Sequence, residues 1–201
     1  MKTILGVDLS LTSPALCIHR GDQFNFSNCE FFFMTKFEKY LYRHTILHGE
    51  TFVDYSCDSE RYSNIGQWVL DIAKFNHVDK VFIEDYSYGS VGRVFNIAEN
   101  GGVLKFLLWR SFVPYEGIPP TVIKKFATGK GNADKQKMEE AFLEETKFDI
   151  RDVLGMPAKN WNPSSDLIDS YFICKYGEQH ERERLETERQ GAVAGVDSVG
   201  A

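Results

Sequence analysis

The stretch ILGVDL, residues 4–9, places a single acid inside an apolar run near the front of a 201-residue chain. A run of this kind reads as a buried strand. A carboxylate inside such a strand is costly to desolvate unless something compensates its charge. Asp8 therefore constrains the fold strongly, because another element must bring a partner to it.

The rest of the chain supplies the elements that could do so. Residues 3–9 and 14–20 predict two short strands, with SLTS as the turn between them. The aromatic, partly alternating run at 23–34 predicts a third strand in an antiparallel meander. Residues 36–58 have no clean period and read as an inserted loop with a short helix at 37–43. Ile65, Trp68, Val69, Ile72 and Phe75 then follow helical spacing on one face. KVFIED, residues 80–85, predicts a fourth strand ending in two acids. A helix over 94–109 contains Gly101 and Gly102, which call for close backbone approach or a break, and 111–120 gives a short fifth strand. Asn132 is the expected cap of a helix over 132–147, and 162–177 forms the last helix. The expectation is an α/β domain over residues 1–178, with a five-stranded mixed sheet whose first three strands are antiparallel, flanked by helices. Residues 179–201 read as a charged and then flexible tail, disordered beyond about residue 190.

Composition narrows the function classes. With 43% apolar residues the chain can bury one sizeable core. A net charge of −6 excludes a uniformly basic nucleic-acid binder, so such a function needs local basic patches. Cys17, Cys29, Cys57 and Cys174 form no CxxC pair and no zinc spacing, and read as reduced thiols. No apolar stretch is long enough to span a bilayer and the first one carries Asp8, so the expectation is a soluble cytoplasmic protein.

Four acids fall at telling places: Asp8 in the first strand, Glu84 at the end of the fourth, and Asp166 and Asp169 on the last helix. The spacing of three puts Asp166 and Asp169 on one helix face. Carboxylates gathered from separate elements repel one another, and a divalent cation removes that penalty. All-oxygen ligands of this kind suit Mg²⁺ or Mn²⁺ rather than zinc. Positive charge lies near by in sequence, at Lys124, Lys125, Lys130, Lys135 and Lys137, around the loop TGKGNADK. That loop offers lysines and backbone N–H groups to a phosphate.

Taken in order, these segments resemble the RuvC family of Holliday-junction resolvases, within the RNase H-like superfamily. ILGVDLSLTSPALCI is similar to its first strand and turn, although Leu9-Ser10 stands where that family usually has Pro-Gly. VFIEDYSYGSVGRVFNIAENGGVLKFLLW resembles its Ile-Glu strand, aromatic loop and following helix. PPTVIKKFATGKGNADKQKM and DLIDSYFICKYG resemble its lysine segment and its Asp-x-x-Asp helix. The resemblance covers roughly residues 3–20 and 79–177, has no counterpart for 36–58, and in its divergence is similar to phage or viral resolvases.

The resemblance implies an RNase H-like fold and a Mg²⁺- or Mn²⁺-dependent endonuclease with two metals per site. Asp8, Glu84, Asp166 and Asp169 would hold the metals, with Asp85 pointing the other way by strand alternation. Lys135 would act at the catalytic phosphate, and Lys124, Lys125, Lys130, Lys137 and Arg93 would contact DNA. Tyr86 and Tyr88 would stack on unpaired bases at a junction centre. It also implies branched DNA, a four-way junction, as substrate. A homodimer would form through the helix at 93–109, working in the host cytoplasm if phage-encoded. Other readings stay open here. One is another RNase H-like nuclease, such as a ribonuclease H or a debranching or flap nuclease. Another is an actin-like ATPase, for whose second domain 201 residues leave no room. The third is an inactive DNA-binding protein.

Overall fold

In the computed structural model, residues 2–41, 45–85, 94–157 and 159–197 are described. The chain runs β1 (Lys2–Asp8), β2 (Ala15–Gly21), β3 (Cys29–Met34), β4 (Leu47–Glu50), α1 (Asp58–Phe75), β5 (Lys80–Glu84), α2 (Val94–Arg110), β6 (Tyr115–Ile118), α3 (Pro120–Thr128), α4 (Lys135–Thr146), α5 (Ile150–Val153) and α6 (Ser164–Asp197). The strands form one sheet in the order β4-β3-β2-β1-β5-β6. β1, β2 and β3 are antiparallel neighbours, whereas β4, β5 and β6 each pair in parallel.

The α/β class and the antiparallel first three strands are as expected, but the sheet has six strands rather than five. The extra one, β4, lies inside the 36–58 segment and lengthens the edge beside β3. It carries only one buried apolar residue, Leu47, so it has no alternation to detect. Glu38–Tyr40 forms a 3-10 turn where the short helix was expected. β3 starts only at Cys29, because Asn25 accepts the Ser27 amide and folds Phe26–Asn28 into another such turn. Asp134, not Asn132, caps α4, accepting the Lys137 amide at 2.9 Å. The helix α2 is continuous through Gly102, where an added Cβ would meet nothing within 4 Å.

Residues 179–197, expected as a charged and then flexible tail, continue α6. The reason is pairing at helical spacing: Arg184 bonds Glu181 and Glu188, and Gln179 bonds Glu183. Glu181 is also buried against the sheet, 3.0 Å from the Lys2 ammonium and 2.9 Å from that of Lys80.

Helices cover both faces of the sheet. Leu5, Val7, Val81 and Ile83 pack on one side against α1 and α2, through Ile65, Val69, Leu104 and Leu108. Ile4 and Phe82 point to the other side, onto Leu167, Tyr171 and Phe172 of α6 and Met138 and Phe142 of α4. Strand alternation therefore sends Asp8, with Ile4 and Gly6, to the α6 face. Glu84 follows Phe82 to that same face. The register pairing Val7 with Ile83 continues to set Asp8 beside Glu84.

Candidate active site

The N-terminal turns of α6 bring Asp166 and Asp169 to the ends of β1 and β5. Asp8 and Asp166 are buried, 8% and 6% exposed, and their carboxyl groups are in hydrogen-bond contact. Burial pushes the Asp8 carboxyl well above its ordinary range, and the charges of Asp166, Glu84 and Asp169 push it further. Glu84 is raised to about 7, by burial against the lowering pull of the Lys124 ammonium, with Asp166 adding to the rise. Asp169 is raised to about 8 by burial and by Glu84 and Asp166, opposed by Lys124 and Lys135. Asp166, raised to about 6 by burial, is held lower than Asp169 by hydrogen bonds from Ser13 and by Lys135. The four acids thus form one electrostatic cluster in which carboxylates outnumber the two lysines.

Such an excess calls for further positive charge, and its donors are all oxygen, the set that suits Mg²⁺ or Mn²⁺. The fit is one of donor chemistry and placement. Among the described residues no three His, Cys, Asp or Glu side chains are posed to hold a metal ion as they stand. Asp166 is turned instead onto Ser13 Oγ and Asn162 Nδ2, and Asp8 onto Asp166.

Of the expected basic residues, Lys124 on α3 and Lys135 at the start of α4 reach the acids. Lys135 Nζ donates to Asn162 Oδ1 at 3.2 Å and to Ser165 Oγ at 3.1 Å. Together with Asp134, Trp161, Ser165 and Asp169 they line a cavity of about 80 Å³ beside the cluster. Lys125, Lys130 and Lys137 are exposed and are not among the principal charges acting on the acids. Asp85 points away, 3.2 Å from Lys105 of α2. Tyr86, Tyr88 and Arg93 lie outside the described residues.

Sequence reasoning passed over Ser13, Asn162 and Ser165. Ser13 sits in the turn after β1 and was legible only as a turn residue. Asn162 and Ser165 belong to NPSSD, which reads as a helix start, and their bonds to Lys135 and Asp166 depend on tertiary placement.

No family model matches the chain. A curated relative, the crossover junction endodeoxyribonuclease RuvC of Synechococcus sp. (strain CC9311), is 27% identical over 92 residues, 46% of this chain and 58% of that protein. The matched stretch therefore spans less than two thirds of that relative. Among solved structures, Thermus thermophilus RuvC matches with a TM-score of 0.56 at 20% identity, over 92% of this chain and 97% of that one. Thermus thermophilus RuvC in complex with Holliday junction substrate matches with a TM-score of 0.58 at 18% identity, over 91% and 96%. The chain has the fold of these RuvC structures.

Proposed function

We propose that this RuvC-like chain is a divalent-metal-dependent endonuclease that cuts branched DNA, resolving four-way junctions by paired, symmetric incisions. The observation that carries the reading is the convergence of the buried Asp8 and Asp166 with the half-buried Glu84 and Asp169 in one cluster beside Lys124 and Lys135. Four acids held together with their carboxyls raised cost stability at neutral pH, which a purely structural role would not require.

Asp8, central to the cluster, would hold or bridge two cations, with Glu84, Asp166 and Asp169 completing the ligand set. Bound Mg²⁺ or Mn²⁺ supplies an activated water and charge stabilisation of the leaving 3′ oxygen in phosphodiester hydrolysis. Lys135 and Lys124 border the cavity next to Asp169 and are placed to bind the non-bridging oxygens of a phosphate there. Lys125 on α3, Lys130 in the loop after it and Lys137 on α4 would extend positive charge for flanking phosphates. Tyr86, Tyr88 and Arg93 are proposed on the resemblance alone, the tyrosines to stack on unpaired bases and the arginine to meet backbone.

Paired cuts need two sites related by symmetry. Phe95, Phe106 and Trp109 are 80%, 53% and 67% exposed and fall with Gly102 on one stripe of α2. A second copy of the chain would cover that stripe. No helix among the described residues is long and apolar enough to cross a membrane.

The test is Mg²⁺-dependent cleavage of a synthetic four-way junction, with a flap, a linear duplex and an RNA–DNA hybrid as competitors. Symmetric nicks in the junction support the reading. Cleavage of the hybrid alone would replace it with a ribonuclease H.

A further inference from the structure

We propose that Asn162 is a positioning residue that ties the Lys135 ammonium to the Asp166 carboxylate, so that the phosphate-binding and metal-binding arms of the site are held in one register. Resting on the nuclease reading above, this deepens it with a residue outside the acid and lysine set.

The geometry is specific to an amide. Asn162 Nδ2 donates to Ser13 Oγ and to Asp166 Oδ2, each at 2.7 Å. Its Oδ1 accepts from Lys135 Nζ and from Ser165 Oγ, each at 3.2 Å. All four hydrogen bonds go to side chains. The orientation is dictated by the partners, because an ammonium only donates and needs the amide oxygen. Turned over, the amide would face Lys135 with its NH₂ and the carboxylate with its oxygen. Ser13, in the turn after β1, completes the link, donating to the same Asp166 Oδ2 while it accepts from Asn162.

A helix cap is the alternative role for an asparagine just ahead of α6. Here the first turn of that helix is served by other groups: the Ser165 amide bonds the Trp161 carbonyl at 2.8 Å, and the Leu167 amide bonds the Pro163 carbonyl at 3.0 Å. The Asn162 side chain is left to the site. Two arms follow from this. One runs from Asn162 to Asp166, directly and through Ser13, and orients an expected metal ligand. The other runs from Asn162 to Lys135 and aims a cation at the cavity beside Asp169.

Three variants separate the hydrogen-bonded arms: Ser13→Ala breaks bonds of the first only, Lys135→Ala breaks the bond of the second while also removing a charge that acts on Asp166 and Asp169, and Asn162→Ala breaks both. Each is read by Mg²⁺ binding in calorimetry without DNA, by the affinity of a labelled four-way junction in EDTA, and by single-turnover cleavage. Loss of an orienting hydrogen bond behind a metal ligand lowers metal affinity or activity by roughly 10–100-fold. Asn162→Ala should show that loss in Mg²⁺ binding and also weaken junction binding in EDTA several-fold. Ser13→Ala should weaken Mg²⁺ binding alone. Because Lys135 and Asn162 act through one contact, the double variant should bind the junction no more weakly than Lys135→Ala. Unchanged Mg²⁺ affinity in Asn162→Ala, or additive losses in the double variant, would overturn the inference while wild-type cleavage leaves the nuclease reading standing. A wild-type protein that cuts no branched DNA would overturn both. Thermal melts guard against misfolding; should Asn162→Ala unfold, wild-type Mg²⁺ affinity in a folded Ser13→Ala protein overturns the first arm by itself.

Discussion

Gly6 of β1 and Ser170 of α6 meet backbone to backbone: a Cβ on Gly6 would stand well under 3.0 Å from the Ser170 carbonyl oxygen and the Cys174 amide nitrogen. Gly6 lies two residues before Asp8 on the same face of the strand, and Ser170 directly follows Asp169. Gly177 repeats the device one layer away, where a Cβ would collide with the Phe82 ring, two residues before Glu84. The absence of these two β-carbons lets α6 lie close enough to the sheet for its acids to join those of β1 and β5.

Gly6→Ala should therefore damage the site without touching a polar group. Overpacking of this kind costs about 1–3 kcal/mol. Urea unfolding should show a loss in that range, and cleavage should fall further than stability alone explains, because α6 must move off Asp8. Wild-type stability and activity in this variant would mean that α6 is not seated by Gly6.

Much of this arrangement was legible in the sequence, for reasons that lie in particular residues. Asp8 stood out because it interrupts an apolar run, and Glu84 because it ends one; alternation then sets both on one face. Their closeness to Asp166 and Asp169 is a tertiary fact. It rests on the parallel register of β1 with β5 and on Gly6, neither of which leaves a local periodic signal. β4 escaped notice for want of alternation. The length of α6 escaped notice because a run of mixed charge reads as solvated chain until Lys2 and Lys80 are seen holding Glu181.

The raised carboxyls give stability a dependence on pH. Unfolded Asp and Glu titrate near 3.9 and 4.3. Asp166, Glu84 and Asp169 titrate in the folded chain at about 6, 7 and 8. The folded state thus binds protons more tightly, so the acids' contribution to stability is complete at low pH and is lost as pH rises through those values. On the proposed reading Mg²⁺ would bind the deprotonated cluster and stabilise by mass action. The gain in melting temperature from Mg²⁺ over EDTA should be larger at about pH 8 than at about pH 5.5. An equal gain at both would place the cation elsewhere.

Lys135→Ala removes a cation from the cavity beside Asp169. Junction binding should weaken, and the slope of log affinity against log salt should become shallower by about one. An unaltered slope would mean that Lys135 does not meet a phosphate.

Phe106→Asp puts a charge in the middle of the exposed stripe on α2. Because the side chain is half exposed in the single chain, folding should survive, while sedimentation should show monomer in place of dimer. Paired incision of a junction should then give way to single nicks. A dimer that persists in this variant would place the symmetric interface on another face.

The most direct test is Asp8→Asn, assayed on a four-way junction with Mg²⁺. The substitution keeps the size of the side chain and removes the carboxylate nearest the centre of the cluster. Cleavage should be abolished while the junction is still bound with near wild-type affinity, because a metal ligand is lost and a DNA contact is not. Cleavage at the wild-type rate would contradict the role given to the four acids.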